Sequence, residues 1–313
     1  MRLPRRLLPA LASPGIVFAQ ADWPARPVSI VVPWPAGGST DSLVRVIAQH
    51  LAAATGQVFV VENRTGATGT VGHAYVARAR GDGYTLLVGT NSTYAIAPHL
   101  MTGLPYEDSA FAPVSLLATT PQMLVAHPSQ PFNDLASFLA FARANPGRLS
   151  FASSGNGGTS HLATELLMQM ARVELLHVPY RGGAPAAQAQ LAGEVQVTFV
   201  DAITAIPHLR SGGMRPLGVS TAARTPLAPE VPTIAEAGLP GFESSTDFAA
   251  LAPAETLAPL VGRIYAAFAA ALAGQGVRQR LLGQGVTPIA GRPGGFAAYP
   301  RRGGTKRGAP IAA

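Results

Sequence analysis

Cysteine is absent from all 313 residues. Its absence removes disulfides, thiol nucleophiles, thiolate metal sites and the acylated cysteine of a lipoprotein. Aromatic residues are sparse at 7% and charged residues make up only 12%. Beyond the first 21 residues, no stretch reaches the roughly 18 uninterrupted apolar positions that a membrane helix needs. The mature chain is therefore expected to be soluble. The formal net charge of +7 sits at the two ends. Arg2, Arg5 and Arg6 lie at the start and Arg301, Arg302, Lys306 and Arg307 at the finish. The body between them holds sixteen basic residues against sixteen acidic ones, all of the latter from Asp22 to Glu255. A neutral body has no basic face with which to displace counterions from phosphates, so nucleic acid is not expected as a partner.

Catalytic and cofactor signatures are missing too. There is no G-x-S-x-G elbow, no H-E-x-x-H, and no histidine pair at helical spacing suited to a metal. Gly66-Ala67-Thr68-Gly69-Thr70-Val71-Gly72 lacks the first close glycine pair of a dinucleotide loop, and no glycine loop ends in the Lys-Ser/Thr of a phosphate loop. The chain is expected to be no enzyme and to need no metal or organic cofactor.

What is present begins with an export signal: a basic Met1 to Arg6, an apolar Leu7 to Ala19, and Ala19-Gln20-Ala21 as a cleavage site before Asp22. Residues 1–21 are thus expected to be removed on the way out of the cytoplasm. The 34 glycines and 28 prolines fall between apolar runs, as in a fold of many short loops, and the 48% hydrophobic content can fill substantial cores.

Along the mature chain, strand and helix patterns alternate. Val28 to Val32 is a β-branched run. Leu43, Val44, Ile47, Ala48, Leu51 and Ala52 share one helical face that Gly56 can stop, with Ser39, Thr40 and Asp41 as candidate N-caps. A strand at Val58 to Val61, a helix near Thr70 to Ala79 and a strand at Tyr84 to Val88 complete a doubly wound α/β pattern. The pattern repeats downstream: a strand at Leu149 to Ala152, a helix through Leu162 to Met170, a strand from Leu176, a helix at Pro185 to Leu191, and a strand at Val195 to Val200. Extended segments at Phe111 to Val125 and Met214 to Ser220 are expected to carry the crossings between two lobes. After a short strand at Phe248 to Leu251, an amphipathic helix through Leu260 to Leu272 returns to the first lobe. The expected division is 22–115 with 221–299 for lobe 1 and 116–220 for lobe 2. Two lobes joined by two crossings leave a cleft for a small ligand.

Two loops are the leading site candidates. Pro33-Trp34-Pro35-Ala36-Gly37-Gly38-Ser39-Thr40-Asp41 joins a strand to a helix start, where adjacent glycines allow close backbone approach and free N–H donors suit an anion. A tight turn capped for stability alone would use the same residues. Ser153-Ser154-Gly155-Asn156-Gly157-Gly158-Thr159-Ser160-His161 repeats that chemistry in the second half. His161 beside Ser154 and Ser160 can be drawn as a base with a nucleophile, or as a polar group at a helix start; no orienting carboxylate is evident. Asp201 reads equally as a cleft carboxylate or a strand-ending turn residue.

These residues also carry a resemblance. The ordered stretches are Val31-Val32-Pro33 with Gly37-Gly38 and Thr40-Asp41; Val60-Val61-Glu62-Asn63-Arg64 with Gly66; Asp82-Gly83-Tyr84-Thr85-Leu86-Leu87; and Ala112-Pro113-Val114-Ser115. They continue with Ser154-Gly155-Asn156-Gly157 and His161-Leu162; His177-Val178-Pro179-Tyr180-Arg181-Gly182; and Val231-Pro232-Thr233 with Glu236-Ala237-Gly238. Together they resemble the substrate-binding receptors of tripartite tricarboxylate transporters, the Bug family of periplasmic proteins.

The resemblance implies a type II periplasmic-binding-protein fold, with each lobe a doubly wound sheet flanked by helices. It implies a ligand carboxylate held between Trp34, Ala36, Gly37, Gly38, Thr40 and Asp41 on one side and Ser154, Gly155, Asn156, Gly158, Thr159, Ser160 and His161 on the other. Thr90, Asn91, Ser92, Tyr180 and Asp201 are further expected contacts. It also implies a soluble, monomeric periplasmic receptor that binds a small carboxylate or dicarboxylate and delivers it to membrane permease subunits. A sensing partner for a signalling receptor is the alternative role. Two departures stand out. The family often has Phe-Asp where this chain reads Phe199-Val200-Asp201, which shifts or removes a polar contact. After Phe296-Ala297-Ala298-Tyr299, residues 300–313 are a poor helix former, and the expectation is an aberrant or disordered tail left by a reading-frame change.

Overall fold

The computed structural model describes residues 23–297 except Thr102. The expected export segment, residues 1–21, and the expected tail, residues 300–313, lie outside the described residues.

Strand β1 (Val28–Val32) is the centre of the first lobe. Val28, Ile30, Val31 and Val32 have no exposed surface, as befits a parallel strand covered on both faces. It pairs in parallel with β2 (Phe59–Asn63) and β3 (Thr85–Thr90). Helices α1 (Ser39–Thr55) and α2 (Thr70–Ala77) form the two crossovers. On α1, Leu43, Val44, Ile47 and Leu51 are buried, each worth about 1.5–3 kcal/mol relative to exposure. Gly56 ends the helix in the left-handed conformation, its N–H donating to the Ala52 carbonyl. The start differs from expectation. Gly38 is the N-cap and no side chain caps the helix, so Ser39 is its first residue rather than its cap.

A π-helical turn at residues 92–96 and the short α3 (Ala97–Leu100) lead to β4 (Phe111–Ala126), a 16-residue strand shared by both lobes. The second lobe adds α4 (Leu135–Ala144), β5 (Ser150–Ser153), α5 (Thr159–Ala171), β6 (Leu176–Pro179), α6 (Gly183–Leu191), β7 (Val197–Asp201), α7 (Ala202–Arg210) and β8 (Arg215–Val219). The chain then returns through β9 (Ser245–Pro253), α8 (Ala258–Ala273), α9 (Gln275–Leu282), β10 (Thr287–Pro288) and α10 (Pro293–Ala297). Among the described residues, no single helix is long and apolar enough to cross a membrane.

The lobes follow one plan. In the first, the parallel trio β2-β1-β3 is followed by antiparallel β9 and then β4. In the second, the parallel trio β6-β5-β7 is followed by antiparallel β4 and then β8. Strand β4 changes partners in mid-course. Through Pro121 it pairs with β9, and from Gln122 onward with β7 and β8.

The first crossing therefore falls at Pro121-Gln122, within the expected extended segment. The second falls at Ser244-Ser245 rather than at 214–220. Residues 221–244, expected in the first lobe, bury Ile234, Leu239 and Phe242 in one core with Phe151, Phe199 and Leu217 of the second. Val231 packs with Met123, Val200 and Val219. Apolar burial against β7 and β8 holds this segment in the second lobe until the chain enters β9. A knot of hydrogen bonds ties the crossings together. Gln122 N–H donates to Ser220 Oγ at 2.9 Å, Ser220 Oγ to the Ser244 carbonyl at 2.7 Å, and Ser244 Oγ to Gln122 Oε1 at 2.9 Å.

Candidate functional site

Parallel strands end together, so the loops leaving β1, β3, β5 and β7 converge where the lobes face each other. A cavity of about 50 Å³ lies there. The first lobe contributes Trp34, Pro35, Gly38, Ser39 and Thr40 from the loop and first turn of α1, with Thr90 from the end of β3. The second contributes Ser154, Thr159 and Ser160 around the start of α5, Phe199, Val200 and Asp201 from β7, Gly183 from α6 and Thr204 from α7. Gln122 and Thr246, beside the two crossings, complete the wall.

The chemistry of this wall is that of helix starts. None of α1, α5, α6 and α7 has a side-chain hydrogen bond capping its first turn. Their leading N–H groups sit at the positive ends of helix dipoles, and no lysine, arginine or histidine lines the cavity. An anion is thus offered backbone donors from both lobes without a formal positive charge. Hydroxyl groups of Ser39, Thr40, Thr90, Ser154, Thr159, Ser160, Thr204 and Thr246 supply further donors and acceptors. Trp34 is buried, and its indole Nε1 has no protein partner.

Asp201 is the only ionisable side chain on the wall. It ends β7 and stands at the N-cap position of α7, yet its carboxylate turns away from that helix. One oxygen accepts a hydrogen bond from Ser39 Oγ across the cleft, and the other accepts from Thr246 Oγ1 at 2.6 Å. Burial raises its pKa and the charge of Asp247 adds to the rise, against the two hydroxyl donors that favour the ionised form. Asp201 therefore lines the cavity from position 201.

Asp41 has a different role from the one expected. Its carboxylate accepts from Gly37 N–H at 3.0 Å, from Asn63 Nδ2 at 2.9 Å, and from two Arg45 nitrogens at 2.9 Å each. Burial pushes its pKa up, but these donors and the Arg45 charge outweigh that and hold it below the usual value. With its acceptor capacity used inside the loop, Asp41 shapes the site and does not line it. Ala36 and Gly37 are exposed and off the wall, because Gly37 turns its N–H to Asp41.

Other expected contacts are likewise one layer out. Asn91 bonds to the Ser245 carbonyl at 3.1 Å and to Asp247 N–H at 3.3 Å, tying β3 to β9. Ser92 pairs with Thr90 Oγ1 at 2.7 Å. Gly155 and Gly158 form the turn before α5, with Gly158 N–H donating to the Gly155 carbonyl, and Asn156 is exposed. Tyr180 gives its hydroxyl to Glu194 at 3.1 Å. His161 accepts from Gly157 N–H at Nδ1, lies 3.4 Å from Glu165 through Nε2, and stacks on His177 with ring centroids 4.2 Å apart. Neither ring nitrogen of His161 pairs with Ser154 or Ser160, whose hydroxyls bond to each other at 3.2 Å; the serine that meets an imidazole in this loop is Ser153, whose Oγ lies 2.6 Å from His177 Nε2. Desolvation lowers the pKa of His161. His177 falls to about 4 by burial and by the facing His161.

Sequence reasoning left out Ser39 as a contact and missed Gln122, Gly183, Thr204 and Thr246 altogether. Ser39 was legible as the first hydroxyl after the glycine pair. The others arrive from distant strands and helices and leave no local pattern.

Contacts across the cleft show the lobes drawn together. A Cβ on Gly155 would lie 2.8 Å from Thr68 Oγ1, and one on Gly182 would lie 2.5 Å from Pro35 Cδ. Thr246 Oγ1, its proton given to Asp201, also lies 3.2 Å from Thr159 Oγ1 and can accept from it.

The chain is similar to known proteins in sequence and fold. The model of the tripartite tricarboxylate transporter family receptor matches residues 43–300. Protein BugT of Bordetella pertussis is 36% identical over 289 residues, covering 90% of this chain and 88% of the relative. Among solved structures, R. palustris Rpa4515 with adipate superposes with a TM-score of 0.90 at 35% identity, covering 93% of this chain and 98% of its own. MatC from Rhodopseudomonas palustris with bound malate superposes with a TM-score of 0.87 at 34% identity, covering 92% and 100%.

Proposed function

Because the chain belongs to the tripartite tricarboxylate transporter receptor family, we propose that it captures a small carboxylate or dicarboxylate between its lobes and delivers it to the permease subunits of such a transporter. The observation that carries this reading is the meeting of uncapped helix starts from both lobes at one cavity that has no cationic side chain. Backbone donors fixed by the fold hold a carboxylate firmly, while the hydroxyl groups around them offer no strong nucleophile–base pair. The proposed role is binding without turnover. Adipate and malate in the two solved relatives support the ligand class. The protein acts as a soluble periplasmic monomer, exported through its N-terminal segment.

A thermal-shift screen of the purified protein against mono-, di- and tricarboxylates, amino acids and vitamins tests this. A ligand that binds only the folded state contributes about 2.7 kcal/mol at one hundred times its dissociation constant, or a rise in Tm of about 4 °C for a chain of this size. A selective carboxylate shift, with the acid recovered unchanged, is expected. A cooperative melt indifferent to every carboxylate, or chemical conversion of a bound acid, would overturn the proposal.

A further inference from the structure

We infer that Asp201 selects, among small carboxylates, those carrying a hydrogen-bond donor next to the anchored carboxylate, a hydroxyl or ammonium group, over the same acid without it. The inference rests on the carboxylate-capture reading and sharpens it.

Three observations lead there. First, among the described residues Asp201 is the only ionisable group on the wall, so a ligand group beside it meets a carboxyl with no cation facing it there. Second, its two oxygens each accept one hydroxyl, from Ser39 and Thr246. A carboxylate oxygen has two lone pairs, so each can take one further donor, and an ionised carboxylate has none to give. An acceptor on the ligand at this point would oppose lone pairs to lone pairs, whereas a hydroxyl or ammonium would complete the set. Third, the anchoring turn and Asp201 are direct neighbours. Ser39 is both the first residue of the uncapped turn of α1 and a direct partner of Asp201. The cavity is only about 50 Å³ and is lined by both the first turn of α1 and Asp201, so a carboxylate anchored on that turn has Asp201 as a neighbour.

A carboxyl that merely bridged the lobes would predict something else. Its loss would weaken every ligand alike, because Ser39 would lose its partner whatever the ligand carried. Selection instead predicts that the ratio between matched ligands changes.

The experiment is isothermal titration of the protein and of Asp201→Asn with two matched pairs, lactate against propionate and malate against succinate. In the unsubstituted protein the hydroxy member of a pair should bind at least about tenfold tighter, the increment of one hydrogen bond to a charged group. In Asp201→Asn that preference should fall below about threefold, since the amide presents a donor as well as an acceptor. Hydroxy and deoxy acids that bind the unsubstituted protein equally would overturn the inference, and this arm stands even if the variant does not fold. A preference that survives in a folded Asp201→Asn would overturn it as well. If none of the four acids binds while another carboxylate raises the melting temperature, this inference is overturned and capture of a carboxylate stands; if no carboxylate binds at all, both fall.

Discussion

Asp41 and Asp201 are both aspartates near the first turn of α1, and their surroundings push them in opposite directions. Asp41 has a cation, an amide and a backbone N–H pointed at it, and its pKa is lowered in spite of burial. Asp201 has two hydroxyls and a neighbouring carboxyl, and its pKa is raised, burial being the largest cause. The Asp41→Asn variant should cost about 1–3 kcal/mol at pH 7, because Arg45, Gly37 N–H and Asn63 lose a charged acceptor. The pH dependence has a definite sign. A carboxyl whose folded pKa lies below its unfolded value, near 3.8, stabilises the fold fully above that value and ceases to do so as pH falls through the folded pKa. The gap in Tm between the unsubstituted protein and Asp41→Asn should thus be wide at pH 7 and narrow below pH 3.8. A gap unchanged at low pH would show that Asp41 acts through shape and not charge. In the sequence the two residues looked alike. The i,i+4 spacing of Asp41 and Arg45 was there to be read, but Asn63 enters from β2 and Thr246 from β9, and only the folded sheet brings them in.

At the scale of elements, hydrophobic spacing was the reliable guide. The run Val28 to Val32 is β1, and the face Leu43, Val44, Ile47, Leu51 is buried on α1 as its period requires. Helix α7 was not legible because Pro207 sits inside it and argues against a helix there. The long pairing of β9 with β4 was not legible either, since its partners lie more than 120 residues apart. Helix starts, by contrast, could be placed from glycine followed by hydroxyl residues, and they carry a direct prediction. Thr159 is the first residue of α5, after Gly158 in an extended conformation that tolerates a following proline. Thr159→Pro removes one backbone N–H and keeps the helix, whereas Thr159→Ala removes only the hydroxyl. If α5 anchors the carboxylate, the proline variant should bind a carboxylate roughly tenfold or more weakly than the alanine variant, with similar circular dichroism. Equal affinity in the two would place the anchor on the other helix starts.

At the scale of the whole molecule, the site exists only when the lobes meet, and Pro35 and Gly182 come close together across that meeting. A Cβ on Gly182 would lie 2.5 Å from Pro35 Cδ and 2.9 Å from its Cγ, atoms of the opposite lobe. The Gly182 backbone has φ +119°, a region that costs an L-residue about 1–3 kcal/mol whatever the lobes do. Gly182→Ala therefore introduces two penalties, local strain present in any arrangement and a clash present only on closure. The two separate in a double-mutant cycle. Pro35→Ala removes the colliding Cγ and Cδ but leaves the backbone of residue 182 as it was. Gly182→Ala alone should lower Tm and weaken ligand binding about tenfold or more. Adding Pro35→Ala should restore much of the affinity while the loss of Tm persists, a coupling of about 0.5–3 kcal/mol in binding between residues in contact. Affinity that stays low in the double variant would assign the whole effect to strain at residue 182. Affinity that never falls would mean that the ligand is held without this contact, by lobes that need not close as far as they do here.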